Sequence, residues 1–229
     1  MKERVIVWAL AFLALTLTGC ATRTNMAFVD DAQKVTETSK PIFLMTATIK
    51  NNYKLSYQPK LIVVHVEKAG AKEAADRLNF TMDDKAVNTA APADAGNSYL
   101  LRLELEAGRY EIRGLTSQSM SFPFVAMFFA PLHAPLDVSK PGVYYLGHVA
   151  ATVRERQGEE FKAGPSVPLI DQSVAGASGG TFDVEITDRF ASDEAAFRAK
   201  FPALNGVTIQ KAVLPAFDRA KAQQWWATN

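Results

Sequence analysis

The segment Tyr99-Leu100-Leu101-Arg102-Leu103-Glu104-Leu105-Glu106 decides the fold class. Its side chains alternate with a period of two: Tyr99, Leu101, Leu103 and Leu105 share one face, and Arg102, Glu104 and Glu106 lie on the other. That period belongs to a strand with one face in a core and one in water. Ala107-Gly108 then turns the chain, and Arg109-Tyr110-Glu111-Ile112-Arg113 alternates again. The pair predicts a β-hairpin.

Working outward, Thr181-Phe182-Asp183-Val184-Glu185-Ile186-Thr187 puts Phe182, Val184 and Ile186 on one face. Further strands are predicted over 42–49, 61–67, 122–130 and 143–154, with Gly, Pro and Asn between them. Many short strands without intervening helices predict a mainly β fold, an antiparallel β-sandwich. Two short C-terminal helices are added. Ser192-Asp193-Glu194, a capping hydroxyl followed by acids, opens the first, which stops at Pro202. Pro215 suits the first turn of the second, which runs through Trp226.

Residues 103–115 (LELEAGRYEIRGL) and 140–153 (KPGVYYLGHVAATV) resemble the hairpin and paired strand of prealbumin-like β-sandwich domains, which occur in bacterial lipoproteins. The likeness spans roughly residues 99–153. It implies a turn at Gly108 and a core contact from Tyr110, and it brings no catalytic residues.

The N-terminus carries a second resemblance. Met1-Lys2-Glu3-Arg4 is followed by an unbroken apolar run from Val5 to Leu15 and by Thr16-Leu17-Thr18-Gly19-Cys20. A short charged start, an apolar segment and small residues before a cut site make an export signal. The run is too short to span a bilayer, which takes roughly 20 residues. Leu17-Thr18-Gly19-Cys20 resembles the lipobox of bacterial lipoproteins. That likeness implies cleavage between Gly19 and Cys20 and a diacylglycerol on Cys20, which becomes the mature N-terminus. Ala21, by the enterobacterial sorting rule, implies the outer membrane, periplasmic side.

On this reading residues 1–19 are a signal peptide, 20–40 a lipidated flexible tether, and 41–229 the β domain with its C-terminal helices. Cys20 is the only cysteine, so once acylated it leaves no thiol for a disulfide, a nucleophile or a metal. The signal removes two of the 25 basic and one of the 24 acidic side chains, leaving the mature chain formally neutral. No block of like charge occurs, which argues against nucleic acid as a partner.

Candidate chemistry is sparse. Gly176-Ala177-Ser178-Gly179-Gly180 fits G-x-S-x-G, and would need a histidine base at Ser178. His65, His133 and His148 all precede it, whereas the α/β-hydrolase order puts the histidine after the serine. The same glycines would also suit an anion-binding nest, or only a tight loop. None of the histidines sits at metal-ligand spacing, and His133 lies between Pro131 and Pro135. Asp183, Glu185, Asp188, Asp193 and Glu194 read as solvated acids without calcium-loop spacing.

The apolar run 122–130 reads as a fully buried strand, with Pro123 hinting at a sheet edge. Its Phe128 and Phe129, with Trp225 and Trp226, are the candidate partner-binding residues. The expectation is a non-enzymatic, outer-membrane-anchored lipoprotein without metal or cofactor, a binding or structural protein of the envelope whose partner is most simply another protein. The alternatives are a glycan- or peptidoglycan-binding module using Trp225, Trp226 or Tyr144, and a serine hydrolase using Ser178.

Overall fold

The computed structural model describes residues 21–30, 32–36, 38–89, 96–121, 124–165 and 173–228. The signal segment with Gly19 and Cys20, and also Phe122 and Pro123, lie outside the described residues. The fold is mainly β. In chain order it comprises β1 (Thr22–Thr24), β2 (Ile42–Asn51), β3 (Lys60–Lys68), β4 (Arg77–Thr81), β5 (Asn97–Glu104), β6 (Gly108–Ser121), β7 (Phe124–Val138), β8 (Val143–Glu155), β9 (Gly180–Thr187), α1 (Phe190–Lys200), β10 (Ile209–Lys211) and α2 (Arg219–Thr228).

The first sheet has the order β1-β4-β3-β6-β7. The second has the order β10-β8-β2-β5, with β9 also paired to β8. Both are mixed, because β1 runs parallel to β4 and β8 runs parallel to both β2 and β10. The expectation of purely antiparallel sheets is corrected here. Side-chain alternation reports which face is buried and is silent on strand direction. Nor does any tight turn join β2 to β8, which lie some hundred residues apart in sequence.

The hairpin expected around Ala107-Gly108 is corrected as well. β5 pairs with β2 in the second sheet, whereas β6 pairs with β3 and β7 in the first. The chain therefore crosses between sheets at this corner. Leu101, Leu103 and Leu105 enter the shared core on one side of the corner, and Tyr110 and Ile112 on the other. The inward faces were readable; the partners were not.

That core joins Met45, Ala47 and Ile49 of β2, Leu146, Val149 and Val153 of β8 and Phe182 of β9 to Val64 and Val66 of β3, Leu115 of β6 and Phe128 of β7. A second cluster covers the opposite face of the second sheet. Ile42, Leu44, Leu100, Val143 and Tyr145 pack there against Phe28, Phe197, Phe201 and Leu204. The second sheet is thus buried on both faces, which accounts for the nearly continuous burial along β2.

Arg102, expected on a wet face, is fully buried under this outer layer. Its guanidinium donates to the carbonyls of Ala27 (2.9 Å) and Leu100 (3.1 Å), pairs with Asp83, and stacks over Phe201 (4.4 Å). Asp193, read as a solvated acid, is also buried. It lies at the start of α1, where it accepts from Thr46 and Tyr145. The other acids remain ordinary. Asp183 pairs with Arg154 and Arg219, Asp188 with Lys211, and Glu194 with Arg198.

Within the stretch read as a tether, residues 22–28 are built into the domain. Thr22–Thr24 forms an edge strand on β4, Ala27 donates its amide to Arg102 O at 3.0 Å, and Met26, Ala27 and Phe28 are buried. Their apolar side chains fill the gap between the sheets and α1, which outweighs the polar composition around them.

Strand β7 also departs from expectation. It continues through Pro131 and Pro135 to Val138, which an edge position permits. Its first part alternates, with Phe128 enclosed in the core and Val125 exposed, whereas residues 130–134 are all buried. Helix α1 begins at Phe190, slightly ahead of its expected start, and α2 begins at Arg219 rather than at Pro215.

Candidate functional site: a cleft on the outer face of the first sheet

The face of the first sheet turned away from the core carries a cleft of about 350 Å³. His65 and Glu67 of β3, Arg77 and Asn79 of β4, and Arg113 of β6 form its floor, Phe129 of β7 and Trp225 of α2 one wall, and Ala21 the opposite rim. Helix α2 packs along β7 and brings Trp225 to within 5.6 Å of the Phe129 ring and 5.0 Å of the His133 ring. The Arg113 guanidinium lies 5.5 Å from the Trp225 ring.

Two irregularities shape this site. Between His65 and Val66 of β3, strand β6 inserts Arg113 as an extra residue. At the same level β7 gains a residue against β6, between Pro131 and Ala134. His133 sits in that bulge with φ of +48°, a left-handed conformation that is costly for a residue with a side chain. Bulges re-aim side chains, and this one turns His133 in beneath Trp225. Gly114 makes room for Phe129: a Cβ there would lie 2.5 Å from the Ala130 carbonyl and 2.7 Å from the Phe129 ring.

The floor is polar but largely self-satisfied. His65 holds Asn79 Oδ1 at 2.7 Å through Nδ1 and Thr116 Oγ at 2.7 Å through Nε2. Asn79 Oδ1 can only accept, so the Nδ1 proton donates and Nε2 accepts from the Thr116 hydroxyl. Burial lowers the His65 pKa, which agrees with this neutral form. Arg113 pairs with Glu67 at 2.7 Å.

Against Trp225 and outside the lining of the cleft, His133 Nδ1 lies 2.7 Å from Glu111 Oε1, and Lys221 reaches Glu111 (3.0 Å) and the His133 carbonyl (2.7 Å). Burial also pushes the His133 imidazole towards its neutral form. Burial pushes the Glu111 carboxyl up, but its bonds to His133 and Lys221 outweigh this and leave it below its ordinary value. Two buried nitrogens, His133 Nε2 and Arg113 Nε, have no hydrogen-bond partner.

The succession Thr116–His65–Asn79 has the hydrogen-bond order of a nucleophile relay. Thr116 lies mid-strand, paired with Val63 on one side and Phe129 on the other, so its backbone is engaged in ladders. The arrangement suits holding a ligand against an aromatic wall.

Of the four residues expected to bind a partner, Phe129 and Trp225 meet at this cleft. Phe128 is fully buried between the sheets and drops out, because alternation turns it to the opposite face from Phe129. Trp226 packs against the core, and Tyr144 stacks on Phe43 at 5.3 Å, away from the cleft. Sequence reading missed Asn79, Thr116, Arg113, Glu111 and Lys221 as a group. The signals were slight: a glycine inside a strand at 114, and a histidine framed by two prolines.

Ser178 stands apart. No histidine among the described residues hydrogen-bonds it: His65 is engaged with Asn79 and Thr116, His148 with Thr46 and Thr48, and His133 with Glu111. Its loop has a packing reason for glycine, since a Cβ at Gly180 would meet the Gly176 carbonyl at 2.4 Å. Among the described residues no cluster of His, Cys, Asp and Glu could hold a metal ion, and no helix is long and apolar enough to cross a membrane. Compared with protein-family models, curated proteins and solved structures, the chain matches none.

Proposed function

We propose that this protein is a lipid-anchored, non-enzymatic binding protein of the bacterial outer membrane, facing the periplasm, and that the outer face of its first sheet is the binding surface. Its frame is read as a β-sandwich of the prealbumin-like kind in which mixed sheets replace antiparallel ones. The observation that carries the reading is the cleft: an aromatic wall of Phe129 and Trp225 over a floor that includes Arg113, whose buried Nε makes no hydrogen bond and only a long ion pair with Glu111 at 3.6 Å. Stable monomers rarely leave such surface without a use. The lipobox-like Leu17-Thr18-Gly19-Cys20 supplies the anchor, and the partner is another envelope component, most simply a protein.

The test places a photocrosslinking residue at Arg77, which lines the cleft and is partly exposed, and irradiates intact cells. One dominant envelope adduct, lost on Trp225→Ala, is the expected result. Adducts indifferent to Trp225, or none, overturn the reading. A second reading is favoured by the half-exposed Trp225 over a floor of His65, Asn79, Glu67 and Arg77, a composition that also suits a sugar ring. Peptidoglycan fragments titrated into the protein would shift its tryptophan emission under that reading and leave it unmoved otherwise.

A further inference from the structure

We propose that the cleft is the seat of one of the protein's own acyl chains, carried by Cys20 and folded back across the outer face of the first sheet. The inference deepens the reading above and rests on lipidation of Cys20.

Its basis is where the described chain begins. Ala21 forms a rim of the cleft, and Thr22 already pairs with Leu78 in β1. Consecutive Cα atoms lie about 3.8 Å apart, so a group attached one residue ahead of Ala21 starts within reach of the cleft. Whatever Cys20 carries is delivered there covalently, at high effective concentration.

The dimensions agree. From β1 to β7 the face crosses four strand spacings, about 19 Å at roughly 4.8 Å each. One leaflet's chain, half of a hydrocarbon core of about 30 Å, covers about 15 Å. The cysteine side chain and its linkage supply much of the remainder. Such a chain leaves the β1 edge, passes over Asn79 and His65, and ends against Phe129 and Trp225.

The chemistry of the floor permits this. A chain lying over charged groups would strip them of water, but here most polar groups face each other: His65 is neutral between Asn79 and Thr116, Arg113 Nη1 is paired with Glu67, and the partly exposed Arg77 reaches the same Glu67 at 3.8 Å, leaving Arg113 Nε as the floor's unbonded nitrogen. Moving a chain from bilayer to protein gains little by itself, because lipid tails are as apolar as leucine. The gain lies in covering Phe129 and Trp225, which water would otherwise touch. A lipidated Cys20 carries several chains, so seating one leaves the others in the membrane. The face offered to a partner then includes the bound chain.

The experiment grows cells on a diazirine-bearing palmitate, irradiates the membranes, and maps adducts on the full-length protein by mass spectrometry. Intact mass is read first. A chain without added lipid overturns the lipoprotein reading and this inference with it. With lipid present, the expected product links the Cys20 peptide to peptides holding Phe129 or Trp225. Its yield falls several-fold in Trp225→Ala and is kept in Trp225→Phe. The Cys20→Ser chain, labelled in the same way, gives no adduct at these peptides. Cleft adducts with phospholipid chains in place of the Cys20 link, or no cleft adduct on a chain of confirmed lipid mass, overturn the inference while leaving the anchor intact.

Discussion

The two outer faces of the molecule carry similar residues to opposite ends. On the second sheet the outer face is roofed by α1 and the segment around Phe28, and its polar groups are locked together. Thr46 donates to Asp193 at 2.5 Å, so His148 Nδ1 donates to Thr46 (2.8 Å) and Nε2 accepts from Thr48 (3.2 Å). Tyr145 closes the group on Asp193 at 2.6 Å. On the first sheet α2 alone, among the described residues, lies over the outer face, and His133 uses a single nitrogen in a strained bulge. A histidine bonded through both nitrogens under a helix fixes that helix in place. One bonded through a single nitrogen marks a layer less fully satisfied, and this contrast separates scaffold from site.

The comparison breaks most visibly at Arg102. Arg102→Ala strips a buried charge from Asp83 and two carbonyls, and removal of one member of a buried pair costs about 3–5 kcal/mol. Urea denaturation should show that loss; a change below about 1 kcal/mol would mean the roof of the second sheet is not the scaffold.

Acid gives the next largest effect. Burial, with Arg189 nearby, lowers the His148 pKa from its ordinary 6.5 to about 4. The unfolded chain therefore binds more protons between those values, and stability is lost as pH falls through that window, levelling off below it. The depression corresponds to about 3 kcal/mol at 1.36 kcal/mol per pH unit. Denaturation midpoints collected from pH 7 to 4 should fall accordingly, and His148→Gln should flatten much of the slope. Burial of His65 and His133 tilts the curve in the same direction, so some slope persists in that variant.

Gly114→Ala probes the open face. The added Cβ meets the Ala130 carbonyl and the Phe129 ring, and overpacking of this kind costs about 1–3 kcal/mol. Its sharper consequence is a displaced Phe129, so cleft crosslinking should fail while the α1 side keeps its pH profile. Equal damage on both sides would merge the two faces into one unit. Smallest of all, Ser178→Ala should stay within about 0.5 kcal/mol of the parent chain. Neither protein should react with a fluorophosphonate probe, and labelling of the parent alone would restore a catalytic reading of that loop.

Much of the fold could be read from alternation alone. Strands β2, β3, β8 and β9 fall where the pattern places them, because inward-facing residues must recur every second position whatever their partners. The corner at Ala107-Gly108 was misread for the same reason: Leu105 and Tyr110 serve one core from two sheets. Arg102 escaped notice because its charge suggests water, and only the fold provides Ala27, Asp83 and Phe201 to receive it. The site was less legible. Phe129 and Trp225 stood out as aromatics, but a bulge that turns His133 under α2 depends on a register between strands that no local pattern records.

Strand β7 has a consequence for behaviour in a crowd. It is fifteen residues long and lies at the edge of its sheet, the kind of element that templates a second copy of itself. Here the Phe129 amide points away from β6, donating to the Ala163 carbonyl at 2.8 Å, and alternation turns position 131 the same way. Proline at 131 has no N–H to offer a neighbour, and Pro135 removes another donor further along. The loop at 163–164 presses so closely that a Cβ on Gly164 would lie 2.2 Å from the Met127 carbonyl. Closed by a loop and then silenced by proline, this edge offers a second copy of the chain little backbone to pair with.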